Sequence, residues 1–122
     1  MGVLKSVSML DEHTVEIVFK DDMTFDLEGI KMSYAETKAF TGERKLKRLV
    51  ISGKKTDITR EARQFELQEN ERLKEFVIAE ALVVHSFTQK MITNFYLKYI
   101  QKSYPAKSFT DIAKAKEWLN GF

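Results

Sequence analysis

The chain has 122 residues, 43% of them apolar and 31% charged, with one proline and five glycines. That composition excludes collagen, a disordered tail and a disulfide scaffold, and a chain of this length buries roughly two thirds of its unfolded surface, enough for a core. With no cysteine and only His13 and His85 as histidines, thiol catalysis, zinc ribbons and iron–sulfur clusters are excluded, and neither a metal nor a cofactor is expected.

The net charge of +2 conceals an uneven distribution. Residues 43–55 hold the cations Arg44, Lys45, Lys47, Arg48, Lys54 and Lys55 against Glu43, and residues 61–75 hold Glu61, Glu66, Glu69, Glu71 and Glu75 against Arg63, Arg72 and Lys74. The basic stretch contains no aromatic side chain for stacking on bases, so it reads as a solvated face, and no nucleic acid is expected. Glu80, Lys90 and Lys98 interrupt the best apolar stretches, so no membrane span is expected, and no signal-peptide core follows Lys5. Met1-Gly2-Val3-Leu4-Lys5-Ser6 fits a loose myristoylation pattern, one short enough to arise by accident. A cytoplasmic protein is the plain expectation.

The first element is a hairpin: a strand over Val3 to Leu10, a turn at Asp11-Glu12-His13, and a strand over Thr14 to Phe19 in which Val15, Ile17 and Phe19 alternate with Thr14, Glu16 and Val18. Asp21-Asp22 breaks it. A helix follows, with Asp26 as N-cap and Gly42 past its last turn, and Ser33-Tyr34-Ala35-Glu36 as a rival start of capping-box spacing. Leu46 to Ser52 is the next strand, residues 53–57 a loop, and Thr59 the N-cap of a helix from about Arg60 to Asn70. Phe76 to Val84 is nearly all apolar, as in a central parallel strand buried on both faces.

Ser86 caps a third helix in which Phe87, Met91, Phe95 and Tyr99 recur every four residues, spacing that predicts a buried helix face, with a groove for lipid or a partner helix as the alternative. Tyr104-Pro105 ends it, Ala106 to Phe109 is a short last strand, and Thr110 or Asp111 caps a final helix with Ile112, Ala115, Leu119 and Phe122 inward beside Trp118. The order β-β-α-β-α-β-α-β-α calls for an α/β domain with a mixed, mostly parallel sheet, right-handed crossovers and helices packed against it, over residues 1–122.

Three segments, Ile58-Thr59-Arg60-Glu61-Ala62-Arg63-Gln64-Phe65, Ala79-Glu80-Ala81-Leu82-Val83-Val84-His85-Ser86 and Tyr104 to Asp111 running on to Ala115-Lys116-Glu117-Trp118-Leu119, together with Asn94-Phe95-Tyr96-Leu97, resemble a group of small bacterial STAS-like proteins of unknown function. The STAS domain is the fold of the anti-sigma-factor antagonists. The resemblance implies a single STAS-like domain and covers most of the chain from Asp26 onward. Antagonists that switch by phosphorylation carry a serine or threonine directly after an aspartate at the start of the helix following the third strand. Thr59 in Asp57-Ile58-Thr59-Arg60 is the nearest counterpart, with the aspartate one residue too early and Arg60-Glu61 where small residues belong.

Ligands on open parallel sheets bind beyond the carboxyl ends of the strands, next to helix N-termini that favour anions. Those ends are Ser52-Gly53-Lys54-Lys55 and His85-Ser86-Phe87-Thr88. Thr59 and Ser86, with Lys54, Lys55 and Arg60 at the rim, therefore form the candidate site for an anion or a partner's acidic side chain; the plainer account is that both hydroxyls are ordinary caps worth ~1 kcal/mol each. Ser52 to Thr56 is not a phosphate loop, since Arg48 stands where the first glycine belongs. His85 and Ser86 are consecutive at a strand end and point in different directions, and no Gly-x-Ser-x-Gly elbow exists, so no enzyme is expected. Glu80, a carboxylate in the most apolar strand, requires a structural ion pair or a place at the edge of the core.

The leading expectation is a non-catalytic regulatory or protein-interaction module, meeting a protein partner around Thr59 and Ser86. The alternative is a carrier of a small ligand or lipid, with a pocket near the third and fourth helices at Phe95, Tyr99 and Trp118. The basic stretch and the acidic helix can pair between two copies, giving a salt-sensitive homodimer, or within one.

Overall fold

The computed structural model describes residues 2–100 and 102–122, with the side chains of Tyr99 and Ile100 outside that description. Strands β1 (Leu4–Asp11) and β2 (Thr14–Phe19) form the expected hairpin, its turn held by the His13 N–H donating to Asp11 Oδ1 at 2.8 Å. Then follow β3 (Thr24–Phe25), α1 (Leu27–Thr41), β4 (Leu46–Ile51), β5 (Asp57–Ile58), α2 (Arg60–Leu73), β6 (Val77–Val83), α3 (Phe87–Ile100), β7 (Ala106–Phe109) and α4 (Ile112–Leu119). The main sheet has the order β1-β2-β4-β6-β7; only β1 runs antiparallel to its neighbour.

Two elements were absent from the expected order. β3 and β5 pair with each other in parallel, Thr24 beside Asp57 and Phe25 beside Ile58, in a separate ribbon. At two residues each they carry no alternation to read. Gly53 is required where this region joins the hairpin, because a Cβ there would lie 1.9 Å from the backbone oxygen of Lys20.

The longer of the two readings of α1 is the one the chain adopts. The Gly29 N–H donates to the Asp26 side chain at 2.8 Å, and a Cβ on Gly29 would meet Val3 Cγ1 at 2.6 Å. A glycine costs a helix about 1 kcal/mol, and here it lets α1 close on the start of β1.

Strand alternation divides the sheet into two unlike faces. One carries Leu49, Ile51, Ala79, Ala81, Val83 and Phe109 and is packed against Ala115, Leu119 and Trp118 of α4. Ile112, at the first position of α4, and Phe122, three residues past its end, were both expected inward but stay 41% and 47% exposed, because the buried stripe of this short helix is Ala115 and Leu119. The other face carries Val15, Ile17, Leu46, Val50 and Leu82, and α1, α2 and α3 lie over it. α2 is rich in charge, with only Ala62 and Leu73 fully buried. Tyr34 of α1 meets Phe65 of α2 edge-on at 5.3 Å, so these two helices lean on each other and leave space above the sheet.

Candidate functional site

That space is a cavity of about 260 Å³. Its floor is the aliphatic wall of Val15, Ile17, Val50 and Leu82; α1 and α2 form its roof, and Thr93, Tyr96 and Leu97 of α3 close one side. Lining residues that face solvent are Lys38, Gly42 and Arg44 at the end of α1 and Leu67 on α2.

A cluster of ionisable side chains is set into the apolar floor. Arg48 and Glu80 are register partners across β4 and β6 and point to the same face. Arg48 Nε lies 3.3 Å from Glu80 Oε1, and Lys102 Nζ lies 3.6 Å from Glu80 Oε2 and donates to the Tyr104 hydroxyl at 2.9 Å. Burial alone would push the Glu80 carboxyl up, but Lys102 and Arg48 outweigh it and hold it below the usual carboxylate range. Burial is the largest influence on Lys102 and Arg48 and opposes their charge, but Glu80 together with Tyr104 outweighs it at Lys102, and Glu80 with Tyr104, Tyr34 and Glu66 outweighs it at Arg48, so both cations are held above their ordinary values. Glu66 reaches in from α2; burial pushes its carboxyl up to about 7, with Lys102 pulling the other way. Burial likewise raises the Tyr34 and Tyr104 phenols.

Two buried polar atoms among these residues have no hydrogen-bond partner within the described protein: Arg48 Nε, whose N–H is not aimed at Glu80 despite the short distance, and Asn70 Oδ1. Both residues line the cavity. A buried donor or acceptor left unmatched costs about 1–3 kcal/mol, and such atoms mark places where water or a ligand binds.

The residues selected from the sequence lie elsewhere. Thr59 is the N-cap of α2, accepting from the Ala62 N–H at 3.2 Å, and Ser86 caps α3, accepting from the Gln89 N–H at 3.1 Å. Lys54, Lys55 and Arg60 are exposed, and none of these five side chains lines the cavity. His85 Nε2 is engaged with the Ser52 carbonyl oxygen, not with Ser86. Trp118 lies between Phe109 (5.7 Å, tilted) and Phe122 (4.8 Å, edge-on) on the α4 face. α3 is on the opposite face, anchored to Ser108, so alternation along β7 prevents a pocket shared by α3 and α4. The side chain of Tyr99 lies outside the described residues.

The expected buried stripe of α3 is also corrected. Phe87, Met91, Ile92 and Phe95 are 68%, 59%, 64% and 75% exposed. The helix is turned by polar anchors: the Ser108 N–H donates to Asn94 Oδ1 at 2.8 Å and the Ser108 hydroxyl to the Lys90 carbonyl at 2.9 Å. Those bonds bring Lys90, Asn94 and Leu97 toward the sheet and send the aromatic stripe outward.

Sequence reasoning singled out Glu80 but missed its partners. In the sequence Arg48 belongs to a basic run that suggests a solvated face. The available clue was its alternation with Leu46 and Val50, which places it on their face of β4. No pattern marked Glu66 or Lys102.

The architecture defines a class: an α/β domain with the fold of the anti-sigma-factor antagonists, as the resemblance implied. A crystal structure of an uncharacterised protein of the DUF3478 family with a SpoIIAA-like fold, from Shewanella loihica PV-4, superposes with a TM-score of 0.70 at 13% identity, covering 93% of this chain and 90% of that one. Residues 8–122 match the model of a domain of unknown function, DUF7793, and the chain belongs to that family. No curated protein matches it. Among the described residues no helix is long and apolar enough to cross a membrane, and no cluster of His, Asp and Glu is arranged to hold a metal.

Proposed function

We propose that this STAS-like domain is a non-catalytic binding domain that holds a small molecule between its sheet and helices α1–α3. The observation carrying this reading is the cavity of about 260 Å³ with an aliphatic floor and partnerless polar atoms on Arg48 and Asn70. Ligand sites combine apolar walls with a few placed polar groups in this way. The geometry thus favours the carrier reading, moved from α3 and α4 to α1–α3. Native mass spectrometry of the protein purified from its own cells tests it: a retained small molecule is expected, and a bare chain with an empty organic extract would overturn it.

A second reading, the regulatory or protein-interaction module, is favoured by the bare stripe on α3. Residues 81–110 contain Lys90, Lys98, Lys102 and Lys107 and no aspartate or glutamate, which suits an apolar partner segment flanked by acidic side chains. Phe95→Ser should then abolish capture of that partner while leaving the melting temperature unchanged. Thr59, Ser86, Lys54, Lys55 and Arg60 remain the candidates for a second contact at the capped helix starts; Lys54→Glu with unchanged partner affinity would remove them.

A further inference from the structure

We infer that the occupant of this cavity is a monoanionic amphiphile, with its carboxylate against Arg48 and its apolar body along Val15, Ile17, Val50 and Leu82. The inference rests on the ligand-binding reading and names the chemistry of the same site.

Charge comes first. The cations lining the cavity are Lys38, Arg44, Arg48, Arg72 and Lys102; the carboxylates are Glu66 and Glu80. Most of these cations are already engaged. Arg72 is paired with Glu69 at 3.2 Å, Arg44 donates to the Thr41 and Phe40 carbonyls at the end of α1 at 2.8 and 3.1 Å, and Lys102 is held by Tyr104 and Glu80. Arg48 differs: it is set in the floor, and among the described residues no acceptor is aligned with its Nε–H, Glu80 Oε1 lying beside it at 3.3 Å. A guanidinium donor matches a carboxylate oxygen in geometry as well as charge.

The surroundings then limit how much negative charge fits. Glu80 Oε1 lies 3.3 Å from the same Nε and repels a second anion. The portions of α1 and α2 that line the cavity, from Ile30 to Thr41 and from Glu66 to Leu73, include the C-terminal ends of both helices, whose dipoles are negative and are offset by Arg44 and Arg72. Among the described residues lining the cavity, no helix N-terminus or glycine-rich loop contributes backbone N–H groups for a phosphate. A single negative charge is the most this floor accommodates. Glu66 is neutral over part of the physiological range, which weakens a competing repulsion.

Size sets the body. A volume of about 260 Å³ equals that of about nine liquid waters at about 30 Å³ each, which suits a chain of about ten carbons.

The test uses decanoate and its neutral counterpart decanol, titrated calorimetrically into the full chain. Decanoate should bind, and decanol about ten- to hundredfold more weakly, the range expected from one charge-assisted hydrogen bond. Because Arg48→Gln alone strands Glu80, the double variant Arg48→Gln/Glu80→Gln is measured beside it. It should lose the same factor for decanoate and leave decanol unchanged. Thr37→Phe, which fills the cavity, should abolish both. Equal binding of the two probes, or decanoate binding insensitive to the double variant, would overturn the anionic head and leave the cavity reading intact. Binding of neither probe would overturn the inference as well, while the native-mass experiment separately decides whether the cavity holds any molecule.

Discussion

Replacing Glu66 by glutamine keeps the size and hydrogen-bonding reach of the side chain and removes its charge. In the folded chain, burial raises this carboxyl from 4.5 to about 7, so the folded state binds its proton more tightly than the unfolded chain does. Its contribution to stability is complete below the unfolded value of 4.5, declines as pH rises, and is lost once pH passes about 7. At about 1.4 kcal/mol per pH unit, the difference amounts to about 3 kcal/mol; water entering the cavity screens the charge, so that figure is a ceiling. Urea unfolding as a function of pH reads it directly. The two proteins should be equally stable near the unfolded pKa, and Glu66→Gln should be the more stable by up to about 3 kcal/mol above neutrality. Glu80 acts in the opposite direction: its lowered pKa contributes stability above 4.5 that is lost as pH falls through the folded value. The acid limb should therefore survive in Glu66→Gln. Parallel stability curves for the two proteins between pH 4.5 and about 7 would refute the placement of Glu66 in a poorly solvated site.

Three further substitutions probe the frame around the cavity. Arg48→Met leaves Glu80 with Lys102 alone at 3.6 Å and should cost about 3 kcal/mol in chemical denaturation, most of it recovered by adding Glu80→Gln; a loss below about 1 kcal/mol would rank the pair with exposed ones. Gly53→Ala drives a Cβ to 1.9 Å from the Lys20 carbonyl oxygen and should lower stability by about 2 kcal/mol or more, as overpacking against backbone does; an unchanged melting temperature would contradict the close approach. Thr59→Ala removes the bond from Ala62 and should cost about 1 kcal/mol, with Thr59→Ser restoring most of it, and neither should alter decanoate affinity.

The order of the main elements was readable because each rested on a local rule: alternation in Val15, Ile17 and Phe19, caps at Asp26, Thr59 and Asp111, and a long apolar run in β6. The site was less readable because it depends on facts that lie between elements. Arg48 and Glu80 meet only through the parallel register of β4 and β6, and Lys102 reaches Glu80 from beyond α3. The period of four in α3 correctly predicts one apolar face, yet spacing within a helix is silent about what covers that face. Two hydrogen bonds from Ser108 decide it, and they set Asn94 inward and Phe95 outward. Thr59 and Ser86 do cap their helices, which is the plainer account weighed for them.

The contrast between the two faces of the sheet bears on why the charges are there at all. The α4 face is closed by small and aliphatic side chains, with Leu49, Ala79, Ala81, Ala115 and Leu119 almost completely buried. On the opposite face Val50 and Leu82 follow Arg48 and Glu80 two residues on in their strands and pair across the same register, so aliphatic residues fit on this face sterically. Buried ion pairs rarely improve on well-packed apolar side chains and are often less stable by 1–4 kcal/mol, as a rough range. Stability therefore gives no reason to keep Arg48, Glu80 and Lys102 in the floor, whereas recognition does. With Glu80 and Tyr104 holding Lys102, and Glu80 Oε1 beside Arg48 Nε at 3.3 Å without an aligned hydrogen bond, the cluster sets a guanidinium into the wall of an apolar cavity. A carboxylate arriving there completes the hydrogen bonding that the described residues leave open.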